Sequence, residues 1–220
     1  MKSTNQLKAV LVAGLVYLGL LAPGQVIAGP IITTNYNFGT LISGSLQPTD
    51  IFARMTVTNS ADDKTFTFVL TLDGLFGSIF GTSSFVGKAI FNTTTGDNPV
   101  TTSLIGSGNG VTSVAETSGP NVGGIQFDFG DSFGGGASNR LMSGEHVSWT
   151  STFFSAQPAP LLISPSSVAL HVQSIGVAGS TSAWYSDTPT TTTVPEPGTL
   201  LLLGIGLLGL GFARKNSLVK

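Results

Sequence analysis

His146 and His171 are the only imidazoles in a chain that contains no cysteine, so acid–base, nucleophilic or metal chemistry must come from them, from carboxylates or from hydroxyls. Neither belongs to an H-E-x-x-H helix or another ligand spacing, which leaves zinc hydrolysis without support. In Val168-Ala169-Leu170-His171-Val172-Gln173 the histidine shares a face with Ala169 and Gln173, opposite Val168, Leu170 and Val172, as a polar-face strand residue does. His146 opens another strand beside Glu145. Gly130-Asp131-Ser132-Phe133-Gly134 has the G-x-S-x-G spacing, but it runs on into Gly135 and Gly136 instead of the helix a nucleophile elbow needs, so serine hydrolysis has no support. The cluster Gly106-Ser107-Gly108-Asn109-Gly110 lacks the lysine and the following helix of a phosphate loop. Asp128-Phe129-Gly130 spells a kinase tripeptide with nothing else of a kinase around it.

Carboxylates are the remaining chemistry. Asp128 and Asp131, followed by Gly134-Gly135-Gly136, could direct oxygens at calcium, a hard cation, although the spacing is not that of an EF-hand. Carboxylates in a flexible acidic loop are more often solvated, which makes calcium the weaker reading, and no other metal or cofactor is expected. A glycosidase, and an extracellular hydrolase generally, would need two carboxyls at a fixed separation in a cleft, which spacing along a chain does not supply. Trp149, Trp184 and Tyr185 are the aromatic candidates for a sugar-stacking face. Trp149 alternates with Val147 and Ser151 and reads as core, while Trp184-Tyr185 reads as closing the end of the domain.

The elements that must position these groups are strands. Residues 29–187 are rich in Thr, Ser, Gly, Val and Phe and poor in helix formers. Thr65-Phe66-Thr67-Phe68-Val69-Leu70-Thr71-Leu72 puts Phe66, Phe68, Leu70 and Leu72 on one face and mostly threonine on the other. With a turn at 59–64 and a strand over 52–58, residues 52–72 form a predicted β-hairpin. Further strands are expected at 85–91, 125–129, 147–154, 168–175 and 183–185, and at 100–104 and 111–115, the last two as a hairpin across the glycine cluster. No amphipathic helix lies between them and no fixed period repeats. The expected fold is an all-β antiparallel β-sandwich, jelly-roll or Ig-like, of about eight to ten strands. It is flanked by an N-terminal signal helix and a C-terminal hydrophobic helix. Without cysteine, its apolar core must hold it together.

Charge narrows the partners. The body carries ten carboxylates against Arg54, Lys64, Lys88 and Arg140, a formal net of −6, which does not hold a phosphate backbone, so no nucleic acid is expected. Residues 1–28 place Lys2 and Lys8 before an apolar run and end Val26-Ile27-Ala28, a secretory signal peptide cut after Ala28 that implies the Sec translocon as a partner. Residues 188–193 read as a threonine-rich linker giving reach between the 29–187 domain and the tail.

In the tail, residues 194–220, the triplet Pro195-Glu196-Pro197 is a rigid, non-helical entry. Leu200 to Ala213 is an apolar run of fourteen residues, about 21 Å of helix against a hydrocarbon core of about 30 Å. Gly204, Gly206, Gly209 and Gly211 soften it. Arg214 and Lys215 then form a basic stop that stays on the cytoplasmic side. A short transmembrane helix is expected over about 198–213. Triplet, short glycine-containing helix and basic stop together resemble the C-terminal sorting signal of PEP-CTERM proteins.

That resemblance implies export, recognition at Pro195, Glu196 and Pro197, and processing by an exosortase-type membrane protease. It implies a precursor held at the inner membrane by the C-terminal helix, then a product at the envelope surface or outside the cell, with exopolysaccharide as a further partner. More loosely, Phe127-Asp128-Phe129-Gly130, Gly144-Glu145 to Trp149 and Ala183-Trp184-Tyr185 resemble the bodies of small PEP-CTERM proteins without assigned activity, which implies no catalytic residue. The expected function is a non-enzymatic exported surface or extracellular-matrix protein. The alternative is a secreted carbohydrate- or ice-binding module, for which abundant Thr and Ser speak and the lack of a regular threonine period speaks against.

Overall fold

The computed structural model describes residues 29–108, 110–134, 140–158, 161, 167–176, 181–186 and 189–193. The expected signal peptide with its cut after Ala28 lies outside the described residues, as do Pro195, Glu196, Pro197, the helix over about 198–213, Arg214 and Lys215. No helix among the described residues is long and apolar enough to cross a membrane.

Every ladder is antiparallel. One six-stranded sheet is built from β1 (Ile32–Phe38), β3 (Ala53–Asn59), β4 (Thr65–Leu72), β6 (Thr101–Ser107), β11 (His146–Thr152) and β14 (Pro189–Thr193), in the order β14-β1-β3-β4-β11-β6. The other contains β2 (Thr40–Ser43), β5 (Phe85–Phe91), β7 (Ser113–Ser118), β10 (Phe129–Gly134), β12 (Val168–Gln173) and β13 (Ser182–Ser186), in the order β2-β13-β12-β5-β10-β7. A small hairpin, β8 (Asn121–Val122) with β9 (Ile125–Gln126), completes the strands. We call the first sheet the threonine sheet, for reasons given below.

The two sheets turn their apolar faces to one core. In β4 the alternation is strict: Phe66, Phe68, Leu70 and Leu72 are buried, and Thr65, Thr67, Val69 and Thr71 are not. Phe68 stacks on Trp149 within its own sheet, with ring centroids 5.0 Å apart and planes 8° apart, and meets Phe91 of the opposite sheet at 5.2 Å. Phe91 stacks on Phe129 at 4.9 Å, and Phe133 meets the Trp149 ring edge-on at 5.3 Å. Such pairs add about 0.5–1.5 kcal/mol each beyond the area they bury.

A second aromatic cluster fills another part of the core. The one-turn helix α1 (Phe76–Phe80) has no place in the sequence reading, because five residues carry no periodicity. Its Phe76 and Phe80 are one turn apart and both buried, packing on Phe52 at 5.9 and 4.9 Å, and Phe80 also meets Tyr185 at 5.3 Å. The Tyr185 hydroxyl donates to the Leu46 carbonyl at 2.8 Å, so its one polar atom is satisfied.

The predicted hairpin over 52–72 is present as β3 and β4, in register from Ala53↔Leu72 to Asn59↔Phe66. The hairpin expected across the glycine cluster is not. β6 pairs with β11 at the edge of one sheet and β7 pairs with β10 at the edge of the other, so the chain crosses between layers there, with Val111 buried at the crossing. Each strand thereby gains a long partner from later in the chain, which no local pattern announces. The 188–193 segment, expected as a short extended linker, is paired along most of its backbone. Its backbone from Pro189 to Thr193 forms edge strand β14, in register with β1 from Ile32↔Thr193 to Tyr36↔Pro189. Threonine favours strands, and a proline is accepted at the start of an edge strand.

The alternation in β4 can be tested directly. Phe68→Ala should lower the unfolding free energy by about 3–5 kcal/mol. Val69→Ala, one residue on and 37% exposed, should cost about 1 kcal/mol or less. Urea denaturation of the two variants reads the difference.

Candidate functional site

Of the two carboxylates singled out in the sequence, Asp131 lies within strand β10 and Asp128 immediately before it. Phe129, Asp131 and Phe133 face the core, and Asp131 is fully buried. The Trp149 indole N–H donates to its Oδ2 at 2.8 Å, whereas Oδ1 has no hydrogen-bond partner among the described residues. Burial pushes the Asp131 carboxyl up to about 7; the indole hydrogen bond works against this, and Glu116, its cross-strand neighbour on β7, adds to it. Asp128 sits three residues earlier and points elsewhere, accepting from the Thr93 backbone N–H at 2.8 Å and the Thr93 hydroxyl at 3.2 Å. The structure therefore does not bring Asp128 and Asp131 to one site. Among the described residues there is no group of three or more His, Asp or Glu side chains that could hold a metal ion.

The histidines are also apart. His146 is exposed at the start of β11, opposite Thr71. His171 lies on the outer face of the second sheet, stacked on Trp184 of β13 at 4.3 Å and 6°, with the Gln173 amide 2.9 Å from its Nδ1. Desolvation, and then the charge of Lys88 directly across the ladder, push its pKa down to about 4. The ring is therefore neutral at ordinary pH and works as a packed aromatic. Trp184 packs on a small outer cluster of Ile90, Val122, Phe127 and Ala169, so it does not close the core as Tyr185 does. Beside His171 is an open hollow of about 510 Å³ lined also by Gln173, Ser174, Ile175, Thr181 and Ser182.

The outer face of the threonine sheet carries an arrangement that the sequence reading missed. Thr33, Thr58, Thr67, Thr150 and Ser103 are consecutive cross-strand partners on β1, β3, β4, β11 and β6, forming one continuous row of hydroxyl side chains. Two residues along, Asn35, Thr56, Val69 and Ser148 form a second row, and on the other side Thr65, Thr152 and Thr101 form a third. Neighbours in these rows hold one another: Thr33 Oγ1 is 3.1 Å from Thr58 Oγ1, Thr65 Oγ1 is 3.1 Å from Thr152 Oγ1, and the Thr56 hydroxyl donates to Asn35 Oδ1 at 3.0 Å. Strand spacing sets the rows about 4.8 Å apart in one direction and about 6.7 Å in the other. The regularity runs across strands that are distant in sequence, so it leaves no period along the chain. The signal that could have revealed it is the outward threonines of β1, β3, β4, β6 and β11, read after pairing.

Asp131 gives the core a pH dependence. Its pKa is raised in the fold from an unfolded value near 4, so the folded state binds the proton more tightly. Its contribution to stability is then complete below about pH 4 and is lost as pH climbs to about 7. Asp131→Asn removes the titration. Thermal unfolding across this range should show the wild-type midpoint falling with pH more steeply than that of the variant.

Comparison with known proteins yields one match, at the C-terminal end of β14. No curated protein matches the chain, and no solved structure does. Residues 193–215 match the family model of the PEP-CTERM protein-sorting motif, and that motif implies an exported protein sorted by exosortase.

Proposed function

We propose that the protein is a non-enzymatic component of the cell surface or extracellular matrix, delivered by its C-terminal sorting motif. In this reading the Sec translocon exports it behind the 1–28 signal peptide, and the segment around 198–213 holds the precursor at the inner membrane with Arg214 and Lys215 on the cytoplasmic side. Exosortase then recognises Pro195, Glu196 and Pro197 and cuts there. The observation that carries the proposal is the sorting motif at 193–215, which begins at the last residue of β14. Support for a non-catalytic body comes from where the titratable groups sit. Asp131 is walled into the core, Asp128 is bound to Thr93, and His171 is held neutral between Trp184 and Gln173.

A second reading, a secreted carbohydrate- or ice-binding module, is favoured by the hydroxyl rows on the threonine sheet.

Mass spectrometry of the cell-associated protein tests the first reading. The mature form should begin near Gly29 and lack residues beyond the triplet. Replacing Pro195, Glu196 and Pro197 together by alanine should leave a precursor that retains residues 198–220. Recovery of an intact C-terminus in every wild-type molecule would overturn the reading.

A further inference from the structure

We infer that the outer face of the threonine sheet is a docking surface for a neutral polysaccharide, centred on the row Thr58, Thr67 and Thr150. The inference rests on the exported-surface reading and names what such a protein holds.

The chemistry of the face selects the partner. Its groups are hydroxyls and amides, each able to give and accept hydrogen bonds, as are the groups of a neutral glycan. Formal charge is nearly absent: on the strands of this face only Arg54 carries one, and it lies 3.5 Å from Asp73 at the periphery. An anionic polymer would thus find no cluster of cations, and a nucleic acid none either. A protein partner needs a desolvated apolar centre. Among the described strand residues of this face only Val69 and Ile105 are exposed apolar side chains, on strands separated by β11, while Ile31 and Phe154 are exposed at its margin, just beyond the ends of β1 and β11.

The geometry then selects a polymer over a crystal lattice. Six hydrogen-bonded strands twist by roughly 20–25° at each step, so the rows fan round and do not tile a plane as ice would require. A flexible chain laid along a row can follow that twist and meet one hydroxyl per strand. Threonine suits the task because its β-branch fixes χ1, and cross-strand pairs such as Thr65 with Thr152 hold the hydroxyls in place before a ligand arrives. Little side-chain entropy is then lost on binding. The contacts of the threonine sheet run to its own neighbouring strands and to the opposite sheet, which leaves the outer face uncovered by any element among the described residues.

The test uses the full-length protein in detergent, sedimented with insoluble cellulose and with insoluble β-1,3-glucan, with alginate beads as an anionic comparison. Retention is expected on at least one neutral glucan. The triple variant Thr58→Val, Thr67→Val, Thr150→Val preserves shape and β-branching while removing three hydroxyls, and should weaken retention by about tenfold or more. Ser132→Ala, on the outer face of the other sheet, should leave it unchanged. Thr67→Arg, placing a long cation in mid-row, should abolish it even if the valine variant unfolds. Failure of both neutral glucans to retain the protein, retention by alginate alone, thermal hysteresis without glucan binding, or an unaffected and folded triple variant would each overturn the inference. Processing of the C-terminus is read separately by mass, so failure here is distinguishable from failure of the sorting proposal.

Discussion

Two sheets share one core only if every strand sends alternate side chains to the same side, and in this protein that requirement is met by stacked aromatic rings. Phe68, Trp149, Phe91, Phe129 and Phe133 join the layers through contacts of about 5 Å between ring centroids. A single-residue slip of β4 or β11 would turn its rings to water and its threonines to the core, so the aromatic layer fixes the register of both strands. With no cysteine available for cross-links, this layer is the main source of cohesion. Fixing the inward set fixes the outward set as well. The hydroxyl rows are thus the other face of the same alternation.

The same layer explains the one carboxyl group buried among the described residues. Trp149 must present its indole N–H somewhere inside the core, and a buried N–H without an acceptor is costly. Asp131 from the opposite sheet accepts it at 2.8 Å and is itself driven toward the protonated form by the surrounding rings. A neutral carboxylic acid and an indole form a polar pair that a hydrophobic core tolerates. The pair also ties β10 to β11 across the gap, adding a directional contact to packing that otherwise has none.

Sequence reading captured what is local. Strand β4, strand β5 and the hairpin of β3 with β4 follow from alternation and a polar turn, and Trp149 was placed in the core by its neighbours Val147 and Ser151. Strand β1, Ile32–Phe38, went unread because its inward residues include Thr34, a polar type that normally marks the outside. The four-residue β2 is too short to show a pattern. Asp131 was assigned to a solvated loop because only its cross-sheet partner reveals that it is buried. Pairings such as β6 with β11 and β14 with β1 join residues far apart in the chain, and so does every row on the threonine sheet. The tail was the most legible part, since its triplet, apolar run and basic stop are contiguous in sequence.

The ladder between β1 and β14 has a mechanical side. Thr193 lies opposite Ile32, and Gly29 is pinned close by through its N–H to the Ala61 carbonyl, so both ends of the body leave from one corner of one sheet. A domain hung from either end turns about the same pivot, whichever tether survives. The ladder also joins segments separated by nearly the whole body, which makes it among the most entropically expensive loops to close. The corner therefore serves as a latch that shuts after the intervening strands have found one another, and pull on the tail falls first on the rung between Ile32 and Thr193.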